Sequence, residues 1–239
     1  MWSIDDFKIG TGPSSVQIKQ EIKPVYYLCK QKIDQYIAKT RMEAFRLKRA
    51  KTDSQSNEKE DKIDLEISYT PCFILEGTHE IKHLRKNVLQ IPFQDDIIAI
   101  NIDETIIYKK DLKQSKDKSY EINITELVTH KNSNRLILDA QAKSIKEKDI
   151  PDYDLLDKNT VEEILDKQQI QADISEDLLI ENFKTSILKP SQNNIKTLEE
   201  NLNINLKIIL RAKFIGKIRV NDKLKMMTID SVTGESKIE

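Results

Sequence analysis

Hydrophobic and polar residues alternate most regularly towards the C-terminal end of the chain. Between Ile204 and Phe214 every second residue is apolar, and asparagine, lysine and arginine fill most of the positions between them. This period of two residues predicts a β-strand with one buried face. The pattern continues to Val220, where Asn221-Asp222 suits the positive φ angles of a tight turn, and it resumes over Leu224–Ile229. We therefore predict a long antiparallel β-hairpin here.

Shorter strands are predicted in the middle of the chain, and those at residues 63–69, 120–124 and 136–142 repeat the alternation. The full set covers residues 63–69, 88–93, 97–102, 105–108, 120–124 and 136–142, and polar residues separate its members. Pro71 is expected to end the first run, and the polar stretch His130–Asn134 is expected to form a turn. Several short strands joined by polar turns at this spacing are typical of an antiparallel β-sandwich or an open barrel.

A helical pattern is clearest near the N-terminus. Pro24 suits a first helical position, and the residues that follow, as far as Lys51, place apolar side chains three and four positions apart. Cations crowd the last turns of this segment, where they complement the helix dipole. The pattern predicts a long amphipathic helix.

Two or three shorter helices are predicted at about residues 155–202. Asn159 or Thr160 could cap the first, Ser175 could cap the second, and a third could run through Ile195–Leu202. The predicted fold class is therefore α+β. It combines an antiparallel β-sandwich or open barrel with the long N-terminal amphipathic helix, and the short helices are inserted before the C-terminal β-hairpin.

Composition divides the chain into three parts. Residues 1–51 form an N-terminal segment with its amphipathic helix, and residues 63–239 form a β-rich domain with the helical insertion. Between them, residues 52–62 contain no aliphatic side chain, which predicts a flexible linker. A split into two domains near Pro151 is the alternative.

Charge and cysteine content narrow the choice of partners and compartment. The 39 basic and 40 acidic side chains leave a net charge of -1, so any site for nucleic acid or anionic lipid has to be local. Cys29 and Cys72 are far apart among apolar neighbours, which predicts buried thiols in a reducing, intracellular compartment. The first residues contain no signal-peptide pattern, and no apolar run is long enough for a membrane span.

One short motif suggests catalytic chemistry. Residues 79–83, H-E-I-K-H, resemble the H-E-x-x-H signature of zincin metalloproteases, and the resemblance covers these five residues only. It implies that His79 and His83 would bind zinc while Glu80 acts as the general base. Zinc is expected under this hypothesis alone, and otherwise no cofactor is expected. As an alternative, the stretch forms an edge strand with His79, Ile81 and His83 on one face and with both histidines at the surface.

The function that the sequence favours is a non-catalytic interaction or structural subunit, a β-rich module that docks into a larger protein assembly. The apolar surface of the predicted N-terminal helix exceeds what one buried stripe needs, and basic residues follow it. Other protein subunits are the expected partners. The predicted partner-binding residues are Tyr26, Tyr27, Leu28, Arg46 and Arg49.

A nucleic-acid-binding β-barrel is an alternative, and the zinc metalloprotease-like enzyme is a further one. Cations concentrate on the C-terminal hairpin, where a basic sheet face could follow a phosphate backbone. Aromatic residues for base stacking are nearly absent from this hairpin. The predicted nucleic-acid-binding residues are Lys207, Arg211, Lys213, Lys217 and Arg219.

Overall fold

The computed structural model describes most of the chain, with several gaps. The described residues are 19–50, 63–92, 94, 96–102, 105–114, 119–188, 194–220 and 223–239. The predicted linker at residues 52–62 and the predicted turn pair Asn221-Asp222 lie outside them, as do the first 18 residues of the predicted N-terminal segment.

The α+β class is confirmed, since the described residues form ten strands and three α-helices. The strands are β1 Lys19–Cys29, β2 Leu65–Pro92, β3 Ala99–Ile102, β4 Thr105–Tyr108, β5 Lys113–Gln114, β6 Ser119–Leu138, β7 Tyr153–Leu155, β8 Asn194–Val220, β9 Lys223–Asp230 and β10 Ser236–Ile238. The helices are α1 Gln35–Ala50, α2 Lys158–Asp166 and α3 Glu176–Ile187.

Eight of these strands belong to one large, mostly antiparallel sheet. Its hydrogen-bonded order is β10-β9-β8-β2-β6-β5, while β1 pairs with both β8 and β7. Strands β3 and β4 form a separate two-stranded sheet. Among the described strands there is no closed barrel. The predicted C-terminal hairpin is confirmed, because β8 and β9 pair antiparallel from Lys213 opposite Asp230 to Val220 opposite Lys223.

Three long strands replace several shorter elements that the sequence predicts. Pro71 lies within β2 and does not end it, since the φ angle that proline imposes is compatible with an extended backbone. The predicted turn His130–Asn134 is part of β6. The predicted third helix at Ile195–Leu202 is part of β8. A spacing of four residues fits a strand face as well as a helix face, and pairing of β8 with β2 selects the strand.

The predicted long N-terminal helix is wrong in its extent. Pro24 lies in β1, whose residues Tyr27 to Cys29 pair with β7, and helix α1 begins only at Gln35. Its first turn is capped by Asp34, whose Oδ1 accepts a hydrogen bond of 2.7 Å from the backbone N–H of Ile37. Ala38 and Met42 of α1 are fully buried, so this helix packs on the sheet along one side.

The two inserted helices α2 and α3 are confirmed, with one change in capping. The carboxylate of Asp157 caps α2 by accepting a 3.0 Å hydrogen bond from the backbone N–H of Thr160. Thr160 and Asn159, the caps expected from the sequence, therefore lie inside the helix. Ser175 caps α3 as predicted, because its Oγ accepts a hydrogen bond from the N–H of Leu178 at 3.3 Å.

The described residues cluster into two compact units. The first contains the described parts of Thr78–Ser133 and Ile187–Asn203, together with residues 19–20. The second contains the described parts of Glu21–Gly77 with Asn134–Ser186 and Ile204–Glu239. Within the second unit, α1 packs against the β8–β9 hairpin. The buried members of this core are Ile33, Ala38, Met42, Ile63, Phe214, Ile218, Met227 and Ile229.

Candidate interaction surfaces

The H-E-I-K-H stretch lies on β2, between β8 and β6, and both of its histidines are buried. On a strand His79 and His83 share one face while Glu80 faces the other side. Four strand residues span about 13 Å, whereas zinc–imidazole bonds are about 2 Å, so this conformation does not place the two imidazoles around one metal ion. No group of three or more histidine, cysteine or acidic side chains in the described part of the chain could hold a metal. The stretch is a strand, as the alternative interpretation has it, but the strand is not at an edge and both histidines are buried instead of lying at the surface.

Two polar side chains of this stretch, His79 and Lys82, contact glutamates of β8 within the first unit. The Nε2 atom of His79 lies 2.8 Å from Glu200 Oε1, and Lys82 Nζ lies 2.7 Å from Glu199 Oε2. Burial, followed by the nearby charges of Arg85 and His130, lowers the pKa of His83. These contacts join β2 to β8.

The predicted partner-binding residues lie on two different elements of the second unit. On β1, the hydroxyl of Tyr26 donates to Glu176 Oε1 at 2.8 Å, and the Tyr27 ring meets Tyr153 edge to face at 5.2 Å. Together with Leu28 they are half-buried, so the chain itself covers much of their surface. The other two, Arg46 and Arg49, lie on α1, where the Arg49 guanidinium is 5.6 Å from the centroid of the Phe45 ring.

The predicted nucleic-acid-binding residues share one face of β8. Lys207 Nζ lies 3.8 Å from Glu76 Oε2, and Arg211 Nε lies 2.7 Å from Asp230 Oδ2. These two ion pairs reduce the positive charge that the sequence places on this face. The remaining members of the set differ in exposure: Lys213 is half-buried, and Lys217 and Arg219 are exposed.

An apolar surface that sequence reasoning missed lies on the two-stranded β3–β4 sheet, which we call the ribbon. Ile98 is 79% exposed, Ile106 57% and Tyr108 51%. Asn101 lies opposite Ile106 and Ala99 lies opposite Tyr108, which places Ile106 and Tyr108 on one face. The sequence places isoleucines side by side at Ile97-Ile98 and Ile106-Ile107. Adjacent strand residues point to opposite faces, so the two members of such a pair cannot both pack on one core. This pattern could have revealed the exposed surface.

A groove runs between α1 and the β9–β10 edge of the second unit, and we call it the basic groove. Its volume is about 570 Å³. The residues that line it are Arg41, Ala44, Phe45, Leu47, Lys48, Met227, Ile229 and Ser236. The floor is apolar, and both charged side chains in this set are cations. Because it combines apolar surface with one sign of charge, this groove is a second candidate for binding.

Comparison with protein-family models, curated protein sequences and solved structures finds no match for this chain. No helix among the described residues has the length and apolar content needed to cross a membrane. Function is therefore inferred from the surfaces and contacts described above. Of these, the ribbon places two large apolar side chains that are more than half exposed, Ile106 and Tyr108, on one face.

Proposed function

We propose that this protein is a non-catalytic interaction subunit that binds another protein through the β3–β4 ribbon. The observation that supports this is the exposure of Ile106 and Tyr108 on one face of β4, together with the exposed Ile98 directly before β3. Burial of apolar surface contributes about 25 cal/mol per Å². A partner that covers these side chains therefore gains this contribution to the binding free energy.

The ribbon is also a short element that a partner protein would stabilise. Each strand has four residues, and an isolated two-stranded hairpin is only marginally stable in water. Its four residue pairs run from Ala99 opposite Tyr108 to Ile102 opposite Thr105. Among the described strands, β3 and β4 pair only with each other, so each has an outer edge to which a partner strand could add.

Tyr108 gives the ribbon a side chain that is common at protein interfaces. Its ring offers apolar area and its hydroxyl can still form a hydrogen bond, a combination enriched at binding sites. The Lys110 ammonium lies 5.8 Å from the centroid of this ring. An apolar centre with a cation beside it resembles the core and rim of a protein interface.

Affinity purification from the source cells tests this proposal. The variant Ile98→Ser/Ile106→Ser removes two of the three exposed apolar side chains, and Leu178→Ser is the matched control because Leu178 is 53% exposed on α3. We expect a specific protein to be recovered with the wild type and the control, and its recovery to fall about tenfold or more with the ribbon variant. Equal recovery of every bound protein by all three forms would overturn the proposal. Far-UV circular dichroism checks that each variant folds.

Two measurements on the same purified protein separate this proposal from the alternatives. A zinc metalloprotease-like enzyme requires bound zinc, which elemental analysis detects. A nucleic-acid-binding protein requires slower migration of single-stranded DNA or RNA at low salt, and Lys217→Glu/Arg219→Glu would have to abolish that shift. The interaction subunit predicts neither zinc nor a mobility shift.

A further inference from the structure

The basic groove belongs to the second unit and shares no residue with the ribbon. We propose that it binds an acidic amphipathic segment of a partner protein. Such a segment places leucine-like side chains on the groove floor and glutamate or aspartate side chains beside the cations of the wall. This site would be a second binding surface, so it can be present or absent independently of the ribbon.

The floor of the groove is apolar and firmly placed. Met227 and Ile229 are buried, and Ile229 pairs across the sheet with Phe214 in the core beneath α1. Strand β10 continues this face, because Ile238 lies opposite Met227 and is still 37% exposed. On the helix side, Leu47 is exposed at the wall. Since Ile229 and Met227 are almost fully covered, apolar side chains of a ligand would mainly contact Leu47 and Phe45 of the helix wall and Ile238 of β10.

The positive charge of the groove favours a negatively charged ligand. Arg41 and Lys48 line the wall, and none of the described lining residues is a carboxylate. Helix α1 as a whole carries five cations and one acid, Glu43. The Arg41 guanidinium donates to the carbonyl oxygen of Gly234 at 3.2 Å, which holds this cation beside the groove. Complementary charge steers and orients an acidic partner.

The cations of α1 also complement the dipole of its last turn, but this role does not require a groove. A dipole-matched helix end needs cations alone, whereas here an apolar cleft of about 570 Å³ lies beside them. Sites that bury apolar ligand groups are of order 300–1,000 Å³. The volume is therefore sufficient for several side chains of a peptide. Charge and shape together favour an acidic amphipathic segment over a purely polar anion.

Fluorescence anisotropy with a designed peptide tests the proposal on the full-length protein. The probe is a labelled peptide of about 14 residues with leucine and glutamate on opposite helix faces. Its control has lysine at every glutamate position. We expect the acidic peptide to bind about tenfold or more tightly than the basic one, with affinity that falls as salt rises from about 50 to about 500 mM. Equal binding of the two peptides, or binding by neither, would overturn the proposal.

Matched variants then locate the binding site. Lys48→Glu reverses a charge that lines the groove, while Lys39→Glu makes the same change at an exposed position of α1 outside it. Leu47→Asp removes an apolar side chain from the wall of the groove, and Tyr36→Asp is its exposed control on the same helix. We expect the two groove variants to weaken binding about fivefold or more and both controls to change it less than about twofold. Equal effects of groove and control variants would place the peptide elsewhere and reject the site.

The ribbon variant Ile98→Ser/Ile106→Ser distinguishes this inference from the proposed function. It leaves every residue that lines the groove unchanged. We therefore expect it to bind the acidic peptide as the wild type does while it loses the partner recovered from cells. Loss of peptide binding in this variant would contradict an independent groove.

Discussion

The Nε atom of Arg211 lies 2.7 Å from Oδ2 of Asp230 and joins β8 to the end of β9. The other carboxylate oxygen of Asp230 accepts hydrogen bonds of 2.9 Å from the backbone N–H groups of Val232 and Thr233. Burial opposes ionisation of Asp230, but Arg211 and these N–H groups outweigh it and lower the pKa of the carboxyl. A charged Asp230 thus organises the turn between β9 and β10.

Replacing Asp230 by alanine is expected to lower the free energy of unfolding by about 2–4 kcal/mol, because it leaves Arg211 and the turn N–H groups without their acceptor. Urea denaturation at neutral pH measures the loss. The control is Asp154→Ala, since Asp154 is a largely exposed residue 3.8 Å from Lys30, and we expect less than about 1 kcal/mol there. The stabilisation by Asp230 is complete above pH 3.8, its ordinary pKa, and is lost as pH falls through the lowered value. Equal losses for the two variants would contradict the role assigned to Asp230.

The buried imidazole of His83 is expected to make stability depend on pH. Its folded-state pKa is lowered from the ordinary value of 6.5, so the unfolded chain binds more protons as pH falls below 6.5. The free energy of unfolding should therefore decrease from about pH 7.5 to about pH 5.5. His83→Gln should reduce this slope, whereas His130→Gln at an exposed position should retain most of it. An unchanged slope in His83→Gln would contradict the prediction.

Gly216 is expected to be coupled energetically to Met42. A Cβ atom at position 216 would collide with Met42 Sδ and lie 3.1 Å from Ile63 Cγ2. Gly216→Ala should cost about 1–3 kcal/mol through overpacking, and Met42→Ala should cost about 2–5 kcal/mol through a cavity. Because the new methyl group would occupy part of that cavity, the double variant should lose less than the sum of the single losses. Strict additivity in urea denaturation would contradict this contact.

Neither cysteine is expected to react readily in the folded protein. Burial raises the pKa of Cys29 to about 11 and that of Cys72 to about 12, so both thiols are protonated at neutral pH. Because the thiolate is the reacting species, Ellman's reagent should modify both only after denaturation. The denatured protein is the internal control. Fast modification of one thiol per native chain would contradict the prediction.

Local sequence signals were sufficient where one strand pairs with its neighbour in the chain. Alternation and the short connection between Val220 and Lys223 predicted the β8–β9 hairpin. They failed at Pro24, where the proline suited a helix start but strand pairing with β7 and β8 places the segment in β1. Asp34, the residue that caps α1, lies ten positions further on and was not recognised.

Polar residues inside long strands misled prediction for a different reason. The stretch around Asn132 reads as a turn by composition. In the structure, Asn132 Nδ2 donates to the carbonyl oxygen of Ile187 and Asn134 Nδ2 donates to Ser186 Oγ. These partners on α3 are more than 50 residues away in sequence, and local periodicity cannot reveal them. The H-E-I-K-H stretch is similar, because its spacing fits a helix and the pairing of β2 decides the outcome.

Photo-crosslinking from the ribbon tests the central claim most directly. A benzophenone amino acid is placed at Ile106 in one form of the protein and at Leu178 in a control, and both are irradiated in the source cells. Since both side chains are exposed to a similar extent, only their location differs. If the ribbon is the binding surface, position 106 gives a discrete adduct with one partner protein and position 178 gives none. No adduct from position 106, or the same adducts from both positions, would contradict it.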